Sequence, residues 1–257
     1  MKIIGSVLLI ATFLIIGASA EVISPSWQTE KSQHFIIYYQ DAPVGFISEL
    51  IYKAEDYYNS IVDELGYYRF DFWSWDNRAK IFLYRNSDEF HKDTNRARWS
   101  GAIVSVGNRM IKSFIGQPGF FDSILPHEMT HIIFREFVGG KVVLPLCIDE
   151  GVACSQERSY LAGRMQIAKN LALQNNYLKF EKLFGIYKLG PDIQPQLFYS
   201  QSASVVIFLI RRYGKESFLD FSRKLRDGLP WQKALLSVYR FTNLDEMEAS
   251  WKAFILN

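Results

Sequence analysis

His127, Glu128 and His131 stand in the pattern H-E-x-x-H. Residues four apart on a helix share one face. Both imidazoles can therefore turn a ring nitrogen toward one metal ion, with Glu128 beside that face and within reach of a water held there. Asp149-Glu150-Gly151 supplies another carboxylate after eighteen intervening residues, counted from His131. Two histidines and one glutamate, with a fourth position left to water, is the donor set of a catalytic zinc site. The expected assignment is His127, His131 and Glu150 as ligands of Zn2+, with Glu128 as general base. The alternative is a surface helix with two incidental histidines. Against it, the chain has only four histidines (34, 91, 127 and 131), and half of them fall in the motif. Ile132-Ile133-Phe134 also gives the helix an apolar face that can anchor in a core.

Pro126 is compatible with a first helical turn, and Asp122 or Ser123 is a candidate cap for a helix starting there. Upstream, residues 33–40 are β-branched and aromatic and read as a strand. Pro43 opens a helix. Apolar residues at 47, 50, 51, 54, 58, 61, 62 and 65 follow helical spacing, and Gly66 ends it. Residues 79–84 read as a strand, and Ser87 starts a short helix. Residues 102–106 and 109–115 pair across Gly107-Asn108, a hairpin turn. After Glu150 no strand is predicted. Helices are expected at 149–160, 163–178, 198–213, 215–227, 231–239 and 243–255, with Asn243 and Glu246 as a capping pair. The expected fold class is α+β: a mixed α/β sheet lobe over about 30–140, then an all-helical lobe over about 141–257, with the metal site between them.

His127-Glu-x-x-His131 followed by Glu150, in Cys147-Ile-Asp-Glu-Gly-Val-Ala153, resembles the gluzincin zinc peptidases, most closely the bacterial peptidase MA-like domain proteins. Later features of that pattern would be Tyr199-Ser-Gln-Ser202, Tyr213-Gly214 and Glu248-Ala-Ser-Trp251. The resemblance covers roughly residues 30 to 255. It implies a zincin-like fold, peptide-bond hydrolysis, and a tyrosine opposite the zinc that steadies the oxyanion. Tyr199 is the candidate for that role; the alternative is a packed tyrosine on an apolar helix.

Composition is that of an ordinary globular chain, 49% hydrophobic and 22% charged. A net charge of +2 gives no reason to expect nucleic acid as a partner. Residues 1–20 read as a secretory signal peptide: Lys2, an uncharged run from Ile3 to Gly17, then Ala18-Ser-Ala20. The expected mature chain, 21–257, is exported with no stable membrane span; an uncleaved N-terminal anchor is the alternative. Cys147 and Cys154 flank Glu150, and export leaves open either a disulfide or two buried thiols. The aromatic run 67–75 is read as core and loop packing, and His34 and His91 as ordinary residues.

Zinc aminopeptidases similar to this chain carry Gly-x-Met-Glu-Asn on the strand before the zinc helix, where the Glu binds the substrate's free α-amine. Here the segment is Gly101-Ala-Ile-Val104-Ser, and an apolar Val104 cannot pair with an ammonium. An endopeptidase holding an extended peptide or protein substrate against an edge strand is therefore favoured. Families of this type often place a carboxylate four residues after the third ligand to support a zinc histidine. Here that residue is Cys154, which leaves Asp149, Glu157 or a backbone carbonyl as substitutes. The alternative function is a non-catalytic exported zincin-fold protein used for binding or assembly, against which the intact Glu128 argues.

Overall fold

The structure is a computed structural model that describes residues 27–67, 73–98 and 100–257. The segment read as a signal peptide and residues 68–72 of the aromatic run lie outside them. Five strands, β1 (Gln28–Lys31), β2 (Phe35–Tyr39), β3 (Ala79–Tyr84), β4 (Ala102–Ser105) and β5 (Met110–Phe114), form one sheet in the order β1-β2-β3-β5-β4. β2, β3 and β5 run parallel, and the two edges pair antiparallel. β3 lies in the middle and is apolar over Ile81-Phe82-Leu83-Tyr84, as a strand covered on both faces must be. Phe35, Ile37, Ile81, Leu83 and Ile111 join the main core. Phe82 and Tyr84 join Phe90 and Trp27 on the opposite face.

β1 was not expected from the sequence. Gln28–Lys31 is exposed throughout and carries no apolar alternation. An edge strand needs only its backbone partner, here β2.

The first helix, α1 (Phe46–Glu64), buries Leu50, Ala54, Tyr57, Tyr58 and Ile61. It begins after Pro43 rather than at it, because Gly45 takes φ +83° at the cap. α2 (Ser87–Thr94) starts as expected, and the Asn86 side chain accepts from Glu89 N at 3.0 Å. The motif helix, α3 (Leu125–Val138), is entered differently from the expectation. Neither Asp122 nor Ser123 caps it. A π-helical turn over Phe120–Ile124 precedes it, and the Ser123 and Ile124 amides both donate to Gly119 O. The chain is thus already wound when α3 begins, and a side-chain cap is not needed. The Asp122 carboxylate instead accepts from Lys53 Nζ at 3.1 Å and Tyr57 OH at 3.3 Å.

Among the described residues every element after β5 is helical: α4 (Leu146–Ser155), α5 (Leu161–Leu173), α6 (Phe180–Phe184), α7 (Pro195–Tyr213), α8 (Lys215–Arg226), α9 (Trp231–Tyr239) and α10 (Leu244–Leu256). α5 stops short of the expected 178 because Asn175 turns left-handed at φ 53°. The short α6 was not foreseen. Between them and at the first residue of α6, the backbone of Leu178 and of Phe180 has side chains as hydrogen-bond partners. The Gln201 amide brackets Leu178, accepting from its N at 2.9 Å and donating to its O at 2.7 Å. Glu248 accepts from Phe180 N at 2.7 Å and Tyr177 OH at 2.9 Å.

α4 and α7 cross in close contact at Gly151, where a Cβ would meet Ser202 O at 2.5 Å. Only glycine permits that approach. Of the aromatic run, Tyr67 and Trp73 are buried as expected, but Trp75 at its end is exposed. No helix among the described residues is long and apolar enough to cross a membrane.

Candidate metal centre

α3 carries His127, Glu128 and His131 on a face that is fully buried, as is Glu150 on α4. The apolar residues 132–134 anchor α3 in the core, and the Gly151 contact seats α4 against α7. His127 Nε2 and His131 Nε2 are 3.2 Å apart. Glu150 Oε2 is 3.5 Å from the first and 3.7 Å from the second. Ligand atoms bound tetrahedrally at about 2.0–2.1 Å must lie about 3.3–3.4 Å from one another. The observed triangle has that size.

Charge also fits a divalent cation. Four carboxylates, Glu128, Asp149, Glu150 and Glu157, are each no more than 2% exposed. Two of them are paired with guanidinium groups. Arg135 donates to both oxygens of Asp149 at 2.9 and 3.1 Å, and Arg164 holds Glu157. Glu128 and Glu150 have no such partner, and the Oε2 of each accepts no hydrogen bond. Buried carboxylates in that state call for a compensating cation.

Mutual electrostatics follow the same layout. Burial alone would lower His131, but Glu150 and Asp149 outweigh it and push it up to about 9. Burial alone would raise Glu150, but His131 and His127 draw it down to about 2. Glu128 is raised by burial against the opposing pull of both histidines. A carboxylate tuned upward is suited to accept and release a proton near neutral pH.

The outer ring nitrogens have their own partners. His127 Nδ1 donates to Glu157 Oε1 at 2.7 Å. His131 Nδ1 lies 3.6 Å from Asp149 Oδ1. Of the three substitutes open at position 154, Glu157 hydrogen-bonds the His127 ring, and Asp149 stands beside His131 at ion-pair distance. Cys154, remote from His127 in sequence, has its Sγ 3.9 Å from Nδ1, on the side away from the triangle. Cys147 and Cys154 are both buried free thiols. Seven residues along α4 separate their Cα atoms by about 10 Å, beyond the roughly 7 Å that a disulfide spans.

Tyr199, on α7, is 6% exposed. Its phenol is raised first by burial and next by the charge of Glu150, and its ring centroid lies 5.8 Å from the Arg164 guanidinium carbon. Val104 is buried on β4, an edge strand packed beside α3. His34 donates to Glu55 from its backbone N at 2.9 Å, and its ring stacks on Tyr58, away from the cluster.

Sequence reasoning missed Arg135 and Arg164. Arg135 sits one helical turn after His131, a spacing that could have suggested a partner for Asp149. Arg164 left no signal, since only the turn after α4 brings α5 alongside. No curated protein matches the chain. The family model described as Peptidase MA superfamily matches residues 76–257, which span α3, α4, α5 and α7, and the chain belongs to that family of typically metal-dependent peptidases.

Proposed function

We propose that the protein is an exported zinc metallopeptidase of gluzincin type that favours internal peptide bonds. The observation that carries this reading is the triangle of His127 Nε2, His131 Nε2 and Glu150 Oε2, with sides of 3.2, 3.5 and 3.7 Å. The proposed organisation is a signal peptide over 1–20 and a catalytic domain over 21–257. Within it a sheet lobe (about 30–140) and a helical lobe (about 141–257) meet at the site.

His127, His131 and Glu150 would hold the ion. A bound zinc supplies Lewis acidity toward the attacking water and the scissile carbonyl. Glu128, whose buried Oε2 accepts no hydrogen bond, takes the water proton there and passes it to the leaving amine. The Tyr199 hydroxyl stays protonated well above neutral pH and donates to the oxyanion. The substrate backbone pairs with β4, an edge strand of the sheet formed by the described residues. Val104 presents no counter-charge to a free amino terminus. Glu128 argues against a purely binding role, because holding zinc does not require it.

The test is metal analysis with chelation. The purified chain should contain one zinc and cleave members of an unbiased peptide mixture, and a chelator should abolish cleavage. His127→Ala and Glu150→Ala should each lose most of the metal. Full zinc retention in both would overturn the ligand assignment. N-terminal mass analysis of protein from its native host should find Glu21 first, and a retained Met1 in a membrane fraction would refute export by cleavage.

A further inference from the structure

We propose that Glu157 and Arg164 are positioning residues: a carboxylate–guanidinium clamp that fixes the ring of His127 from outside the two helices bearing the donor atoms. The proposal rests on the metal-centre reading above and states how its first histidine is held.

A glutamate carries three rotatable bonds and by itself orients little. Here Arg164 Nε donates to Glu157 Oε2 at 2.8 Å, and Nη2 donates to Oε1 at 3.0 Å and Oε2 at 2.7 Å. The planar fork engages both oxygens, a bidentate geometry that fixes direction as well as distance. Oε1 of the immobilised carboxylate accepts from His127 Nδ1 at 2.7 Å. With the proton held at Nδ1, the Nε2 lone pair points into the triangle, and rotation of the ring would break the outer hydrogen bond. Arg164 lies on α5 and also borders the Tyr199 ring. Tyr199, Arg164, Glu157 and His127 therefore form one contiguous series across three helices and a turn.

The termination of α4 makes this possible. Position 154 lies one helical turn past Glu150 and would be the direct place for a supporting carboxylate. Cys154 stands there, with its Sγ 3.9 Å from Nδ1, and a thiol is a weak partner. α4 ends at Ser155, and the amides of Gln156 and Glu157 turn back to Ala153 O and Cys154 O. That turn returns Glu157 to the ring that position 154 does not serve.

His127, Cys154 and Glu157 also have the composition of a second cation site. Arg164 decides between the two readings. It already engages both oxygens of Glu157, so a cation there would have to displace a guanidinium and then lie beside it.

The experiment is a titration of metal-free protein with Zn2+ against a competing chelator, for wild type, Glu157→Gln, Glu157→Ala, Arg164→Met, the Glu157→Ala/Arg164→Met double variant, Cys154→Ala and His127→Ala. Glu157→Ala should weaken zinc binding by about 10–100-fold. Glu157→Gln, which keeps an acceptor oxygen, should recover part of that loss. Arg164→Met should weaken binding in the wild-type background and add nothing to Glu157→Ala, which separates a clamp from two independent structural roles. Cys154→Ala should bind as wild type, with one zinc per chain throughout. Wild-type affinity in Glu157→Gln and Arg164→Met, with binding abolished in His127→Ala, overturns the clamp and leaves the site standing. Two zinc ions per chain, falling to one in Cys154→Ala, overturns it in favour of a second cation site. Full binding by His127→Ala shows instead that the metal-centre reading is wrong.

Discussion

His127 and His131 face each other nitrogen to nitrogen, with their Nε2 atoms 3.2 Å apart one helical turn from each other in a buried position. Two imidazole lone pairs at that separation repel unless a proton or a cation lies between them. The outer nitrogens already face carboxylates, so the inner pair is the part of the cluster with chemistry left to offer.

Glu128→Gln tests the base. The amide is isosteric and cannot accept the water proton. The variant should retain one zinc and lose about 10²–10⁴-fold in hydrolysis rate. Cleavage of a verified peptide at the wild-type rate would remove Glu128 from the mechanism.

Peptide ends test the substrate reading. A matched pair of peptides, acetylated and free, should be cut at internal bonds with the acetylated form at least as good. Val104 gives an ammonium nothing to pair with, and its desolvation costs binding. Stepwise release of single N-terminal residues, abolished by acetylation, would show that the chain is an aminopeptidase.

Gly151→Ala should destabilise the protein by about 1–3 kcal/mol, because the new Cβ meets Ser202 backbone oxygen at 2.5 Å. Gly163, on α5, has nothing within 4 Å of a built Cβ. Gly163→Ala is therefore expected to stabilise by about 0.5–1 kcal/mol. Thermal melts of the two variants should move in opposite directions; a shared direction contradicts the packing account.

Glu248 predicts an acid-side loss of stability. Burial works to raise its carboxyl, but Lys179, the Phe180 amide and Tyr177 outweigh that and hold it below the usual 4.5. A depressed folded value means the contribution is complete above pH 4.5 and fades as pH falls through the lower, folded value. Denaturant melts of Glu248→Gln should show a smaller loss of stability than wild type between neutral pH and pH 3. An unchanged pH slope would refute the role.

The strand at 79–84 was legible to the residue, because a buried central strand needs an apolar run and this chain supplies one over Ile81-Phe82-Leu83-Tyr84. The Asn243 cap was legible too, since its side chain accepts from Glu246 N at 2.9 Å. β1 was not, because Gln28–Lys31 pairs through backbone alone. The entry to α3 was misread because a π-turn satisfies the helix start without a side-chain oxygen. At the site, spacing alone was enough to nominate His127, His131 and Glu150, and the structure brings their ligand atoms together. Arg164 was beyond reach, since its partnership depends on where α4 stops.

Residues 177–179 form no helix or strand, yet Gln201 and Glu248 hold the backbone of Leu178 and of Phe180, the first residue of α6, from two different helices. A connection held at both ends has a set length. An inserted residue or peptide tag there would pull Leu178 from the Gln201 amide or Phe180 from Glu248, and so loosen α7 and α10 together. The turn at Gly107-Asn108 differs. A side chain built on Gly107 meets nothing within 4 Å, and Asn108 is exposed. For engineering, the hairpin is the place to lengthen the chain and the extended segment before α6 is the place to leave alone.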